Sequence, residues 1–96
     1  MIRSFGDRAT EDVYHGRDTR QARTLPKTLW PVIRRKLDMV DAAHAPEDLR
    51  QPPGNRLERL KGVHPARYSI RVNDQYRATF RFEDGKALGV TCEDYH

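Results

Sequence analysis

The chain holds one cysteine among 96 residues, Cys92, so no disulfide can close within it. That fits a reducing compartment. No apolar run approaches the ~20 residues of a membrane span. The opening "MIRSFGDRATEDV" lacks the apolar core of a secretory signal. A cytoplasmic protein with no membrane partner is expected. The histidines at 15, 44, 64 and 96 are scattered, and Cys92 has no cysteine to join it, so no metal site is expected. "PPGN" lacks the glycine pattern that cradles phosphates, and no cofactor is expected. Repeats and low-complexity tracts are absent. A length of 96 residues suits a single domain spanning 1–96, with a modest core.

What is present is charge, and it is uneven. The whole chain carries +4. Between Asn55 and Arg81, seven cations (Arg56, Arg59, Lys61, Arg67, Arg71, Arg77, Arg81) face only Glu58 and Asp74, a local balance of +5. Six of the seven are arginines, whose planar fork suits phosphate.

Periodicity separates the chain into a helical half and a stranded half. "IRSF" reads as a first strand, and "DRATEDVYHG" as a helix stopped at Gly16. "RDTRQARTLPK" is polar and aperiodic, a loop. Trp30, Ile33, Leu37 and Val40 form one stripe of an amphipathic helix running to about Ala43. Thr28 is placed to cap it, with Pro31 in the first turn. Trp30 is expected to anchor the helix–sheet core. "APEDLR" suits one short turn, and "QPPGN" marks a non-helical boundary. His44 and His64 read as surface residues.

Beyond Arg56 the period becomes two. "RLERL" suits a short strand. "RYSIRV" puts Tyr68, Ile70 and Val72 on one face. "QYRATFRF" does the same with Tyr76, Ala78, Phe80 and Phe82. "DG" at 84–85 predicts a hairpin, and "ALGVTCEDY" places Leu88, Val90 and Cys92 inward. Cys92 is therefore a packing residue. The sum is an α+β fold: an N-terminal strand and two helices packed on one face of an antiparallel sheet.

The other face collects Arg67, Arg71, Arg77 and Arg81. Close like-charged cross-strand pairs cost roughly a few tenths to 1 kcal/mol each, and a bound polyanion relieves that. The hairpin also predicts that residues 94–96 lie beside residues 73–76. There Asp94, Tyr95 and His96 would combine a carboxylate, an aromatic ring and an imidazole beside several cations. This suits proton transfer at a phosphodiester. Asp94 has a plain alternative role, pairing with Arg77.

"PPGNRLERLKG", "YSIRVNDQYRATF" and the closing "EDYH" together resemble the HigB group of RelE-type toxins. The resemblance covers nearly the whole chain and is densest from Pro52 to His96. It implies a microbial-RNase-like fold and a toxin of a type II toxin–antitoxin pair. The activity implied is messenger RNA cleavage in the ribosomal A site by attack of a ribose 2′-OH. The partners implied are the 70S ribosome, the message and a HigA-type helix-turn-helix antitoxin, with operator DNA met only by the complex. By matching position, Lys61, Arg77, Asp94, Tyr95 and His96 are implied as catalytic. Arg56, Arg59, Arg67, Arg71, Gln75 and Arg81 are the expected RNA-binding set. Two positions depart from the pattern of some relatives: Glu58 stands where they have histidine, and Gln75 where they have asparagine. Glu58 is therefore a second candidate base. A binding module without chemistry, a degenerate toxin and a ribonuclease acting on free RNA remain as alternatives.

Overall fold

The computed structural model describes residues 1–62 and 65–95. Helix α1 spans Arg8–Tyr14 and helix α2 spans Trp30–Ala42. They are followed by strands β1 (Glu58–Leu60), β2 (Arg67–Arg71), β3 (Tyr76–Glu83) and β4 (Lys86–Asp94). The strands form one sheet in the order β1-β2-β3-β4, each antiparallel to its neighbour. Both helices cover one face. The α+β architecture read from the sequence is the one observed.

Local chemistry explains where each helix begins. Asp7 caps α1 by accepting from the Thr10 N–H at 2.9 Å, and the chain leaves the helix through Gly16 at φ 74°. α2 starts differently from expectation. Thr28 does not cap it; a 3-10 turn over Lys27–Leu29 leads directly into the helix, whose N-terminal position Leu29 offers no side-chain acceptor. Pro31 sits in the first turn, where its missing N–H is harmless. "PPGN" also folds more regularly than a bare boundary, with a 3-10 turn over Pro53–Asn55.

The inward stripe of α2 buries Trp30, Ile33, Leu37 and Val40 against Ile70, Ala78, Phe80 and Val90 of the sheet. Trp30 anchors this core as expected, and its Nε1–H donates to the Leu25 carbonyl at 2.9 Å. The polar loop after α1 contributes more than its composition promises. Ala22 and Leu25 are in the core, and buried Asp12 ties the loop down by accepting from Thr19 at 2.6 Å and Arg17 at 3.2 Å.

Two strand expectations are corrected. "IRSF" does not form a full strand; Ile2 and Phe5 make isolated parallel bridges to Ala87 and Val90 on the edge of β4. Leu88 does not face inward either. Thr79 pairs with Thr91 but Arg81 pairs with Leu88, so Phe80 alone faces Gly89 and Val90 together. This bulge at Gly89, with φ 62°, shifts the alternation by one. Ala87, Val90 and Cys92 are buried, and Leu88 lies on the outer face opposite Arg81. The hairpin itself is as expected: Asp84 (φ 51°) and Gly85 (φ 74°) take the paired positive-φ turn that "DG" favours. Among the described residues no helix is long and apolar enough to cross a membrane.

Candidate active site

The outer sheet face is not the open arginine field that alternation predicts. Each of its four arginines lies against a neighbour. Arg77 is held most firmly, its side chain only 12% exposed. Its Nε donates to Ser69 Oγ at 2.8 Å, and its Nη2 donates to the Arg56 carbonyl at 2.5 Å. The same Nη2 lies 3.4 Å from Glu58 Oε1. Arg67 Nη2 donates to Thr79 Oγ1 at 3.0 Å and to the Gly89 carbonyl at 3.3 Å. Arg71 is bonded to Asp74, and Arg81 lies 3.8 Å from Glu83. Thr79 in turn donates to Glu93. Ser69 and Thr79 are fully buried beneath these side chains. The expected mutual repulsion is therefore offset within the fold by Glu58, Asp74, Glu83 and Glu93.

The sheet register explains how Glu58 reaches Arg77. Glu58 pairs with Ser69, Ser69 with Thr79, and the neighbouring pair is Arg71 with Arg77. The Arg77 guanidinium leans back over Ser69 toward the edge strand. Arg56 arrives at the same point because its backbone takes a left-handed turn at φ 46° and presents its carbonyl. The preceding Asn55 is fully buried. It accepts from Lys36 Nζ of α2 at 2.6 Å and donates to the Leu49 carbonyl at 3.2 Å. Burial, followed by the nearby Arg35 and Arg71 charges, lowers the Lys36 pKa. Neither Lys36 nor Asn55 stood out in the sequence. The lysine borders the apolar stripe of α2, and that was the available signal.

β4 brings the chain's closing residues alongside, as the hairpin count predicts. Arg77 is opposite Glu93, and Tyr76 is opposite Asp94. Gln75 clasps the end of the strand: its Nε2 donates to Asp94 Oδ2 at 2.9 Å, and its carbonyl accepts from the Tyr95 N–H at 2.6 Å. Tyr95 is 41% exposed, enough to meet a ligand. His96 and His64 lie outside the described residues; His44 is exposed. The ion-pair partner of Arg77 is Glu58.

Of the sequence candidates, Arg56 and Glu58 meet Arg77, which pairs with Arg71, and Gln75, Asp94 and Tyr95 meet at the end of β4. Lys61 comes three residues after Glu58, at the turn that follows β1. It follows β1, whose Leu60 pairs with Arg67, one step beyond the Tyr68–Phe80 pair. Tyr95 follows Asp94, which pairs with Tyr76. Lys61 and Tyr95 thus lie about seven strand steps apart, roughly 23 Å, on opposite edge strands. Arg67 and Arg81 lie one strand step from the Lys61 level. Lys61 lines a concavity of about 320 Å³ with Arg59, Leu60 and Gly62. Cys92 is buried, and burial, with help from Asp7 and Glu93, pushes its thiol up to about 12. It packs, as the alternation required, and it is no nucleophile near neutral pH.

Known proteins resemble this chain. The family model described as the RelE-like toxin of type II toxin–antitoxin system HigB matches residues 3–96. Toxin HigB-1 of Vibrio cholerae serotype O1 is 44% identical over 95 residues, covering 99% of this chain and 98% of that protein. A protein of Haemophilus influenzae described only as uncharacterized is 45% identical over 71 residues, covering 74% of this chain and 70% of that protein. With a family match over nearly its full length and a relative this close from end to end, the chain belongs to the HigB-like toxins, the RelE-like half of a type II toxin–antitoxin pair.

Proposed function

We propose that the protein is a ribosome-dependent messenger RNA endonuclease that inhibits translation until a helix-turn-helix antitoxin binds it. The observation that carries this reading is the fixed Arg77 guanidinium beside the Asp94–Tyr95 strand end. Cleavage needs a base for the ribose 2′-OH, a cation for the pentavalent phosphorane, and an acid for the leaving 5′-oxygen. The 2′-oxygen bonds to phosphorus, the P–O5′ bond breaks, and the products are a 2′,3′-cyclic phosphate and a 5′-OH.

Arg77 supplies the cation. Its Nε and Nη2 are committed to Ser69, Arg56 and Glu58, which leaves Nη1 to meet a phosphate oxygen from a preset position. Preorganised charge of this kind is usually the largest catalytic contribution. Arg71, directly opposite on β2, supports the same phosphate. Tyr95 stacks on a base flanking the cut, a contact worth ~1–3 kcal/mol in single-strand recognition. Asp94 and Gln75 hold that end of β4 in place. His96 moves a proton, and Glu58, beside Arg77, is the second proton-transfer group.

Single-turnover cleavage on ribosomes carrying a message tests this against free RNA. We expect cutting only with ribosomes, with His96→Ala and Glu58→Ala each slowing it at least ~100-fold, the lower range of general acid–base effects. Intact growth arrest by a variant lacking residues 94–96 overturns the catalytic reading in favour of a binding module. Equal cutting of free RNA overturns ribosome dependence.

A further inference from the structure

The carbonyl that receives Arg77 Nη2 belongs to a residue in an uncommon backbone conformation. The 3-10 turn over Pro53–Asn55 ends on Arg56, whose backbone is left-handed at φ 46° and ψ 57°. Such caps favour glycine or asparagine, because an ordinary Cβ is strained there. The chain carries both types just upstream, Gly54 and Asn55, yet gives this position to arginine. The Arg56 N–H closes the turn by donating to the Pro53 carbonyl at 3.0 Å. Asn55 ties the turn to the core, since it is fully buried and bonded to Lys36 of α2 and to the Leu49 carbonyl. A simple chain reversal explains the turn but not its aim. The Arg56 carbonyl meets Arg77 Nη2 at 2.5 Å, and the same Nη2 lies 3.4 Å from Glu58 Oε1.

We propose that Arg56 is a positioning residue: its main-chain carbonyl, held by the left-handed turn and the buried Asn55–Lys36 anchor, sets the Arg77 guanidinium toward the scissile phosphate. The proposal deepens the cleavage reading and rests on it. Ser69 holds Arg77 from the sheet, accepting from Nε through its hydroxyl at 2.8 Å and from Nη2 through its carbonyl at 3.3 Å. The Arg56 carbonyl makes the shorter Nη2 contact, and it approaches from the loop. With Nε and Nη2 held in this way, the direction of Nη1 follows from the planarity of the group. The contact also fixes the cation against Glu58, the second proton-transfer group. A misplacement of about 1 Å in such a contact can cost about 100-fold in rate. The acceptor is a backbone oxygen, so the choice of residue at 56 acts on Arg77 through φ and not through its side chain.

Single-turnover cleavage of ribosome-bound message by Arg56→Gly and Arg56→Val tests this. Both lose the side chain of Arg56. The first keeps the left-handed turn, and the second opposes it through its β-branch. At saturating ribosomes the maximal rate of Arg56→Val should fall at least ~30-fold below that of Arg56→Gly. Their half-saturating concentrations should stay within about threefold of each other. In an Arg77→Lys background the rate gap should shrink to about twofold or less, because lysine has no second nitrogen to place. A merely structural loss would multiply into both backgrounds alike. Circular dichroism checks that each variant is folded at the assay temperature. Where Arg56→Val does not fold, an ester replacing the amide between residues 56 and 57 weakens the same acceptor with every side chain kept. That variant should be slower than the parent by about three- to tenfold in maximal rate. Equal maximal rates for Arg56→Gly and Arg56→Val, an undiminished gap in the Arg77→Lys background, or an ester variant as fast as the parent overturns the positioning role and leaves cleavage standing. Parent toxin that cuts no message on ribosomes overturns both.

Discussion

Replacing Asn55 with alanine should destabilise this protein far more than its place in a loop suggests. The amide is fully buried and, besides a 3.7 Å contact to Met39 Sδ, serves three neighbours at once. It accepts from the Lys36 ammonium at 2.6 Å and donates to the Leu49 and Gln51 carbonyls at 3.2 and 3.4 Å. Losing a hydrogen bond to a charged group costs about 1.5–3 kcal/mol, and each stranded carbonyl costs about 1 kcal/mol more. Lys36 retains 8% exposure and partly rehydrates, which favours the lower end, so the expected loss is about 3–4 kcal/mol. For a domain of this size each kcal/mol lowers the melting temperature by ~4–8 °C, so the variant should melt roughly 15–25 °C early. Urea denaturation of Asn55→Ala, Lys36→Met and the double variant separates the contributions. Lys36→Met removes a buried charge and should cost only about 1 kcal/mol. The double variant should be more stable than the summed single effects predict by at least ~1 kcal/mol, because the stranded ammonium is gone. Additive losses, or a loss below about 0.5 kcal/mol for Asn55→Ala, would refute the buried pair. A pH arm checks the same pair. Burial lowers the Lys36 pKa in the folded chain below its ordinary 10.5. Between the two values the unfolded chain binds more protons, so stability rises with pH there. Lys36→Met should flatten that rise.

Other perturbations test other parts of the structure. Asp12→Asn should lower the melting temperature at pH 7, with the gap to the parent closing below about pH 4. The Thr19 hydroxyl, followed by Arg17 and Arg8, holds the Asp12 pKa below 3.8, so its stabilising charge is lost as pH falls through that range. A gap unchanged at pH 3 counts against the assignment. Cys92, pushed up to about 12 chiefly by burial, should resist iodoacetamide in the native protein at pH 8 and react only after unfolding. Rapid native labelling would contradict its packing. Gly89→Ala places a Cβ at φ 62° and should cost about 1–2 kcal/mol in urea denaturation, although the nearest atom, Arg67 Nη1, stands 3.6 Å away. No loss would mean the bulge relaxes freely.

The sequence exposed features that depend on period and turn chemistry. The α2 stripe, the alternating faces of β2 and β3 and the "DG" hairpin all obey local rules, and they place Asp94 beside Tyr76. Features that depend on partners across the fold were hidden. Alternation put four arginines on one face, but it could not show which carboxylates come to lie against them. Glu58 and Glu93 arrive from β1 and β4, and their positions against the arginines depend on register. Leu88 was misplaced because one glycine in positive φ breaks the alternation, and a lone Gly inside a strand does not announce a bulge. Lys36 drew no reading from the sequence. The return of "PPGN" beside α2 brings the Asn55 side chain onto its ammonium. Lys61 joined the catalytic set through resemblance, and the register places it three residues beyond Glu58 along the same edge.

The bulge at Gly89 also acts as a ruler. From Gly89 onward, the side each residue takes depends only on how many steps separate it from that kink. Thr91 and Glu93 fall on the outer face opposite Thr79 and Arg77, and Asp94 falls opposite Tyr76. Removing or adding one residue between Gly89 and Asp94 would exchange these faces even if every side chain were kept. This stretch is therefore constrained in length more than in composition. Substitution at its exposed positions should be tolerated where a single-codon deletion is not.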